Sequence, residues 1–218
     1  MTARVLVVFP HPDDEAFSSS GTIAKFIAEG ATVTYACLTL GEMGRNLGVP
    51  LIANRETLPS IRKQELLNAA KAIGIQDVRC LGYLDKTIEF EPFDKIDEHI
   101  ASIIEEVKPE RIITFLPGYS VHPDHNATGA SVIRVVAKMA KEQRPEVWCV
   151  AFAHHTVVDN GEPDVVINIE PYLYNKYQSL AAHASQVNVK KMFGDFKKDY
   201  KSIVEKFGTE HFWRYRFE

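Results

Sequence analysis

Three cysteines in 218 residues, Cys37, Cys80 and Cys149, give no disulfide framework and no pair at metal-clip spacing. Each lies in an apolar run that reads as a strand, so reduced core thiols in a cytoplasmic protein are expected. No apolar stretch approaches the roughly 20 residues of a membrane-spanning helix, and Val5–Phe9 behind Arg4 is too short for a signal-peptide core. No membrane partner is therefore expected, and the triplet Asn126-Ala127-Thr128 is read as an accidental glycosylation match. An excess of positive charge is also missing. The formal net charge is −4, which argues against a nucleic-acid partner. There is no G-x-G-x-x-G, no Walker A loop, no G-x-S-x-G elbow and no H-E-x-x-H, which removes the common dinucleotide, P-loop, serine-hydrolase and zincin signatures. Linkers, repeats and low-complexity segments are absent too, so residues 1–218 are read as one domain.

What is present is a strand–helix alternation. Val5–Phe9, residues 32–40, 78–81, 111–116 and 147–153 are short, β-branched or aromatic and apolar, as buried strands are. Between them, residues 22–28, 55–73, 96–107 and 126–141 carry apolar side chains at three- and four-residue steps, with Gly74 and Pro109 placed as helix stops. This order predicts an α/β fold, a Rossmann-like, mostly parallel sheet with helices on both faces. The pattern weakens after residue 160, where a strand at 165–169 and two helices at about 171–183 and 189–206 are expected.

In such a sheet, ligands bind beyond the carboxyl ends of the strands. Three polar loops emerge there: HPDDE after the first strand, GEMGR after the second and GYSVHPDH after the 111–116 strand. The tripeptide His-Pro-Asp occurs at 11–13 and again at 122–124, whereas composition predicts roughly 0.02 occurrences by chance. In each copy the donors stand three apart, His11 with Asp14 and His122 with His125, and positions i and i+3 share a face in a helical turn. Two carboxylates and up to three imidazoles can then converge. Asp13, Asp14 and Glu15 repel one another, and no Lys or Arg lies between Arg4 and Lys25 to offset them. A divalent cation relieves that repulsion, and mixed His and carboxylate donors with one open position suit zinc. Glu15 reads as an acid favoured by a helix N-terminus, and His183 as a C-terminal dipole partner. Arg62 and Glu65 are spaced to pair on one helix face, Arg45 is available to a carboxylate or sugar hydroxyls, and His154 and His155 are read as packed at a strand end.

The segments PHPDDE, TLGEMG, IRKQELLNAAKAIG and HPDH, with AHASQ at 182–186, resemble the LmbE-like family of zinc-dependent N-acetylglucosamine deacetylases that includes PIG-L. The overall likeness is closest to the second-type deacetylases of bacillithiol biosynthesis, which act on N-acetylglucosaminyl-malate. The resemblance implies one Zn²⁺ per chain, with Fe²⁺ as the alternative, held by His11, Asp14 and His125. It implies Asp13 as general base, His122 as transition-state stabiliser and Asp124 as the residue that orients His122. Relatives carry a Tyr two positions before the equivalent of His122, where this chain has Ser120; Tyr119 stands one further back. Arg45, Arg62, Tyr119 and His183 are the expected substrate contacts, the two arginines for the malate carboxylates. A small GlcNAc-containing molecule is the expected partner, and a homo-oligomer is compatible with the family. The alternatives are a chito-oligosaccharide or other small GlcNAc-conjugate deacetylase and, from other classes, a metal-dependent phosphoesterase or a non-catalytic sugar-binding protein.

Overall fold

The computed structural model describes residues 2–196 and 198–218. Among these described residues, seven strands form one sheet in the order β3-β2-β1-β4-β5-β7-β6. β1 (Arg4–Phe9) is central, flanked in parallel by β2 (Thr32–Cys37) and β4 (Arg111–Phe115); β3 (Asp77–Cys80) and β5 (Glu146–Val150) extend the parallel part on either side. β1 alternates strictly between two cores. Leu6 and Val8 face the layer of α4 (Phe93–Val107) and α5 (Pro123–Ala137), while Val5, Val7 and Phe9 face α2 (Ser20–Ala28) and α3 (Leu58–Ile73). Both faces are covered, which is why the strand is apolar throughout.

The expected strands and helices in the first 160 residues are all present, at slightly different bounds, with a five-residue α1 (Asp14–Ser18) added before α2 and α6 (Thr156–Asn160) after β5. The end of the chain departs from expectation. β6 (Val165–Asn168) and α7 (Leu173–Ala182) lie as read, but the second helix is broken at Gly194 into α8 (Val189–Phe193) and α9 (Tyr200–Phe207). A further strand, β7 (Thr209–Arg214), inserts antiparallel between β5 and β6. Its charged residues masked it. Glu210 is buried because Lys176 Nζ lies 2.7 Å from its Oε1, and its carboxylate also accepts the N–H groups of Gly21 (3.1 Å) and Thr22 (2.7 Å) at the start of α2. Cys37 and Cys149 are core thiols, but Cys80 is exposed, because β3 is the sheet edge. No helix among the described residues is long and apolar enough to cross a membrane.

β2 and β4 leave β1 on opposite sides, so the connections from the β1 end run in opposite directions and open a crevice at the carboxyl ends. Gly129 lets α5 approach β4 there; a Cβ at that position would overlap the carbonyl oxygen of Phe115.

Candidate metal centre and its surroundings

The loop leaving β1 carries His11 to Asp14, and the loop leaving β4 carries Tyr119 to His125 into the first turn of α5. Asn126 pins the second loop, its Oδ1 accepting the N–H groups of Gly118 (2.9 Å) and Ser120 (3.2 Å). The glycosylation-like triplet is therefore a structural element, with Thr128 fully buried behind it.

These two loops bring three donors to one corner. His11 Nδ1 lies 3.2 Å from His125 Nε2, His125 Nε2 lies 3.2 Å from Asp14 Oδ1, and His11 Nδ1 lies 3.6 Å from Asp14 Oδ2. Ligands about 2.0–2.1 Å from a tetrahedral ion stand about 3.3 Å apart. The other ring nitrogens are turned away and held: His125 Nδ1 donates to Ser120 O (3.1 Å), and His11 Nε2 faces Asp124 Oδ2 (3.2 Å) and Asp85 Oδ1 (3.1 Å). Carboxylate or carbonyl behind each imidazole is the arrangement that fixes a ligating histidine. Burial alone lowers the pKa of His11, but Asp124, Asp14 and Asp85 outweigh it and raise it to about 11. Burial likewise raises that of Asp14, yet His125 and His11 bring it well below the usual carboxylate range. The corner thus favours positive charge, and two imidazoles with one carboxylate fit a divalent cation.

His122 stands beside this corner, its ring centroid 4.9 Å from that of His11 and 5.1 Å from that of His125. The three imidazoles can also group around one ion, as can His11 with Asp85 and Asp124. His122 Nδ1, however, accepts the backbone N–H of Asp124 (3.2 Å), and Asp124 Oδ2 accepts the N–H of Lys86 (2.7 Å) besides facing His11. Burial, then the neighbouring His11 and His125, lower the pKa of His122. A neutral ring accepting at Nδ1 carries its proton on Nε2. This corrects the expected role of the Asp124 side chain. In the first turn of α5 its main-chain N–H points back at the N-cap residue His122, while its carboxylate turns to His11 and to the amides of Lys86 and Ile88.

Asp13 points elsewhere than Asp14. Its backbone has φ 95°, a left-handed conformation that costs a non-glycine residue about 1–3 kcal/mol. Burial raises its pKa, partly opposed by Arg62 and aided by Asp14, to about 6. Arg62 Nη2 lies 3.3 Å from Asp13 Oδ2 and donates to Pro12 O (2.5 Å), and Nη1 donates to Gly41 O (3.1 Å). Gly41 is needed for this approach, because a Cβ there would overlap the guanidinium. Arg62 is therefore buried and committed, which corrects both its expected contact with a substrate carboxylate and its expected pairing with Glu65. Glu65 instead accepts from the N–H and Oγ of Ser185, both at 2.7 Å.

His183 is corrected in the same way. It is the C-cap residue of α7, as expected, but it is fully buried, with Nε2 2.9 Å from Glu15 Oε1 rather than facing a ligand. Glu15 lies in the first turn of α1, as expected for an acid favoured by a helix N-terminus, but it is fully buried. The hydroxyl of Tyr119 meets Asp159 Oδ2 (3.3 Å), so its partner is on α6 and not in the histidine cluster. Arg45 is exposed on the loop after β2, with its carbonyl held by Gln186 (2.8 Å). Sequence reasoning missed Asp85, Ser120 and the Glu15–His183 pair. Asp85 has no motif around it, and the other two act through contacts that only the folded chain makes.

The PIG-L: GlcNAc-PI de-N-acetylase model matches residues 6–136, which contain both His-Pro-Asp loops. The chain is 48% identical over 220 residues, covering all of both chains, to a protein of Bacillus cereus named probable N-acetyl-alpha-D-glucosaminyl L-malate deacetylase 2. Among solved structures it is similar to the N,N'-diacetylchitobiose deacetylase of Pyrococcus horikoshii, with a TM-score of 0.74, 23% identity, and coverage of 97% of this chain and 83% of that one. It is also similar to the 4-carboxy-2-hydroxymuconate hydratase of Pseudomonas putida KT2440, with a TM-score of 0.75, 18% identity, and coverage of 100% and 98%. A deacetylase and a hydratase on one fold mean that the fold alone does not choose the reaction. The family match rests instead on the segment that builds the corner of His11, Asp14 and His125, and by it this chain belongs to the PIG-L, GlcNAc-PI de-N-acetylase family.

Proposed function

We propose that this chain is a zinc-dependent N-deacetylase that removes acetate from N-acetyl-α-D-glucosaminyl L-malate, the reaction of bacillithiol biosynthesis. The observation that carries the chemistry is the three-donor corner of His11, Asp14 and His125 with Asp13 held just outside it. The substrate follows the name of the Bacillus cereus relative, which matches along its whole length.

His11, Asp14 and His125 would hold the zinc ion, which would supply polarisation of the acetamide carbonyl and a water pKa lowered toward about 7. Asp13 accepts the proton of the attacking water. Arg62 keeps the Asp13 carboxylate oriented and opposes the effect of burial on it. The Nε2–H of His122 donates to the negative charge that develops on the acetamide carbonyl oxygen as the water oxygen bonds to its carbon. The proton collected on Asp13 then passes to the leaving amine, so the products are acetate and a free glucosamine amine. Arg45 is the proposed partner of the malate, exposed where the aglycone would leave the crevice.

The test is acetate release from N-acetyl-α-D-glucosaminyl L-malate, methyl N-acetylglucosaminide and N,N'-diacetylchitobiose, measured on metal-loaded protein. The malate conjugate is expected to have the highest kcat/KM. A higher value on diacetylchitobiose overturns the malate assignment, and no acetate from any of the three overturns the deacetylase reading.

A further inference from the structure

Asp13 and Asp14 are adjacent, yet one is to hold a metal and the other to move a proton. Their carboxylates must diverge, and the left-handed φ of 95° at Asp13 is what separates them. Such a conformation persists only where the surroundings over-determine it. The Asp13 carbonyl is held by α1, accepting from the N–H groups of Ala16 (2.9 Å) and Phe17 (3.0 Å). Its N–H donates to Glu15 Oε2 at 3.1 Å.

Glu15 is an unusual anchor. It is fully buried; its Oε2 also receives the hydroxyl of Tyr35 (3.0 Å), and its Oε1 meets His183 Nε2 (2.9 Å). Tyr35 and His183 are fully buried as well, and His183 Nδ1 has no hydrogen-bond partner among the described residues. Three polar side chains in a core cost desolvation that apolar residues of the same size avoid. What they supply in return is direction: a carboxylate fixed from two sides can hold one main-chain N–H in one place. The turn carrying His183 is itself anchored on α3, through Ser185 and Glu65. Arg62, on that same helix, grips Asp13 Oδ2 and the preceding carbonyl.

We propose that Glu15, braced by His183 and Tyr35, is a positioning residue that locks the left-handed backbone of Asp13 and so aims the base. This rests on the reading of Asp13 as the general base. The Glu15 carboxylate hydrogen-bonds to none of the three donor side chains and acts through Asp13, whereas the Tyr35 hydroxyl also lies 3.2 Å from the His11 carbonyl oxygen, so His183 is the brace that tests Asp13 most directly.

The experiment compares His183→Leu, His183→Gln, Glu15→Gln and Tyr35→Phe with the parent chain, using Asp13→Asn as reference. Three quantities are read on the full chain: bound zinc, kcat and KM for acetate release from N-acetyl-α-D-glucosaminyl L-malate, and hydrogen exchange of the Asp13 amide by NMR. His183→Leu is expected to keep about one ion per chain and a KM within roughly threefold of the parent. Its kcat is expected to fall by about 10²-fold, and its Asp13 amide to exchange at least about tenfold faster. His183→Gln, whose amide N–H reaches the same Glu15 oxygen, is expected to recover most of both losses. Parent-like kcat and exchange in His183→Leu overturn the proposal, as does a kcat loss matched by zinc loss or not rescued by Gln. If His183→Leu does not fold, Glu15→Gln and Tyr35→Phe decide: a slower kcat with faster Asp13 exchange in either supports the brace, and parent-like values in both overturn it. Parent-like turnover in Asp13→Asn would instead sink the reading of Asp13 as base, and the exchange data would still report on the brace.

Discussion

Asp124 Oδ2 lies 3.2 Å from His11 Nε2 across 113 residues of sequence, and its carboxylate is fully buried between them. That contact leaves His11 Nδ1 as the nitrogen that faces Asp14 and His125. The proposed metal site is therefore a three-donor corner backed by a second layer of carboxylates, and the two layers are separable by mutation.

His11→Ala, Asp14→Ala and His125→Ala are each expected to purify without the ion, because two donors do not hold it at a site open to water. Asp124→Asn keeps all three donors and loses one of the two carboxylates behind His11, Asp85 remaining. Its metal affinity is expected to drop by about 10–100-fold while the ion still loads at saturating concentration. Metal analysis after dialysis against a graded chelator series distinguishes these outcomes. Full occupancy in the three alanine variants contradicts the donor assignment.

Asp13 and Asp14 are expected to behave differently despite adjacency. Asp13→Asn keeps the corner intact, so it should carry the ion and lose about 10²-fold or more in kcat. Asp14→Asn should lose both. Metal content and single-turnover acetate release on the same preparations are the measurements, and near-parent turnover in metal-loaded Asp13→Asn contradicts the proton-transfer role.

The sequence exposed this site unevenly, for physical reasons. HPDDE and HPDH were legible because strand ends must carry the ligands, and a tight loop keeps them within a few residues of one another. The parallel sheet was legible because strands buried on both faces, such as β1, read as unbroken apolar runs. The burial of Glu15, Arg62 and His183 was not legible because a charged or titratable side chain is normally solvated; it is made possible by partners up to 168 residues away. β7 was missed for the same reason, since Glu210 looks like a surface residue until Lys176 is placed against it.

Acid should weaken the fold on the side of the sheet away from Asp13. Asp97 on α4 is buried and accepts from Ser131 Oγ (2.6 Å) and from Arg134 Nε (3.0 Å) and Nη2 (2.7 Å) on α5. Burial would raise its pKa, but Arg134 and Ser131 outweigh it and hold the carboxyl below its ordinary value. A depressed folded pKa gives stability that is complete above the unfolded value, near 4, and lost as pH falls through the folded value. Asp97→Asn is therefore expected to be less stable than the parent at pH 7, by about 1.5–3 kcal/mol, with the difference shrinking below about pH 4. Urea unfolding at pH 7 and pH 3 measures it, and a difference that stays constant across that range contradicts the assignment.

The two arginines expected to meet malate should now separate. Arg45 is exposed on the loop after β2 and is free to meet a carboxylate on the aglycone. Arg62 is buried against Asp13, Pro12 O and Gly41 O. Arg45→Ala is expected to raise KM for N-acetyl-α-D-glucosaminyl L-malate at least about tenfold, the equivalent of a charged hydrogen bond worth about 1.5–3 kcal/mol. It should leave KM for methyl N-acetylglucosaminide unchanged, because that glycoside has no carboxylate to lose. Arg62→Ala removes the hold on the proposed base and leaves the Pro12 carbonyl without its donor, so its kcat should fall on both substrates by a similar factor. Arg62→Lys is expected to be little better, since one ammonium group does not span the acceptors that a planar guanidinium reaches. Kinetics of the three variants on both substrates decide the matter. A loss confined to the malate conjugate in Arg62→Ala would place that side chain back at the substrate and would require the buried contacts with Asp13 and Gly41 to open when substrate binds.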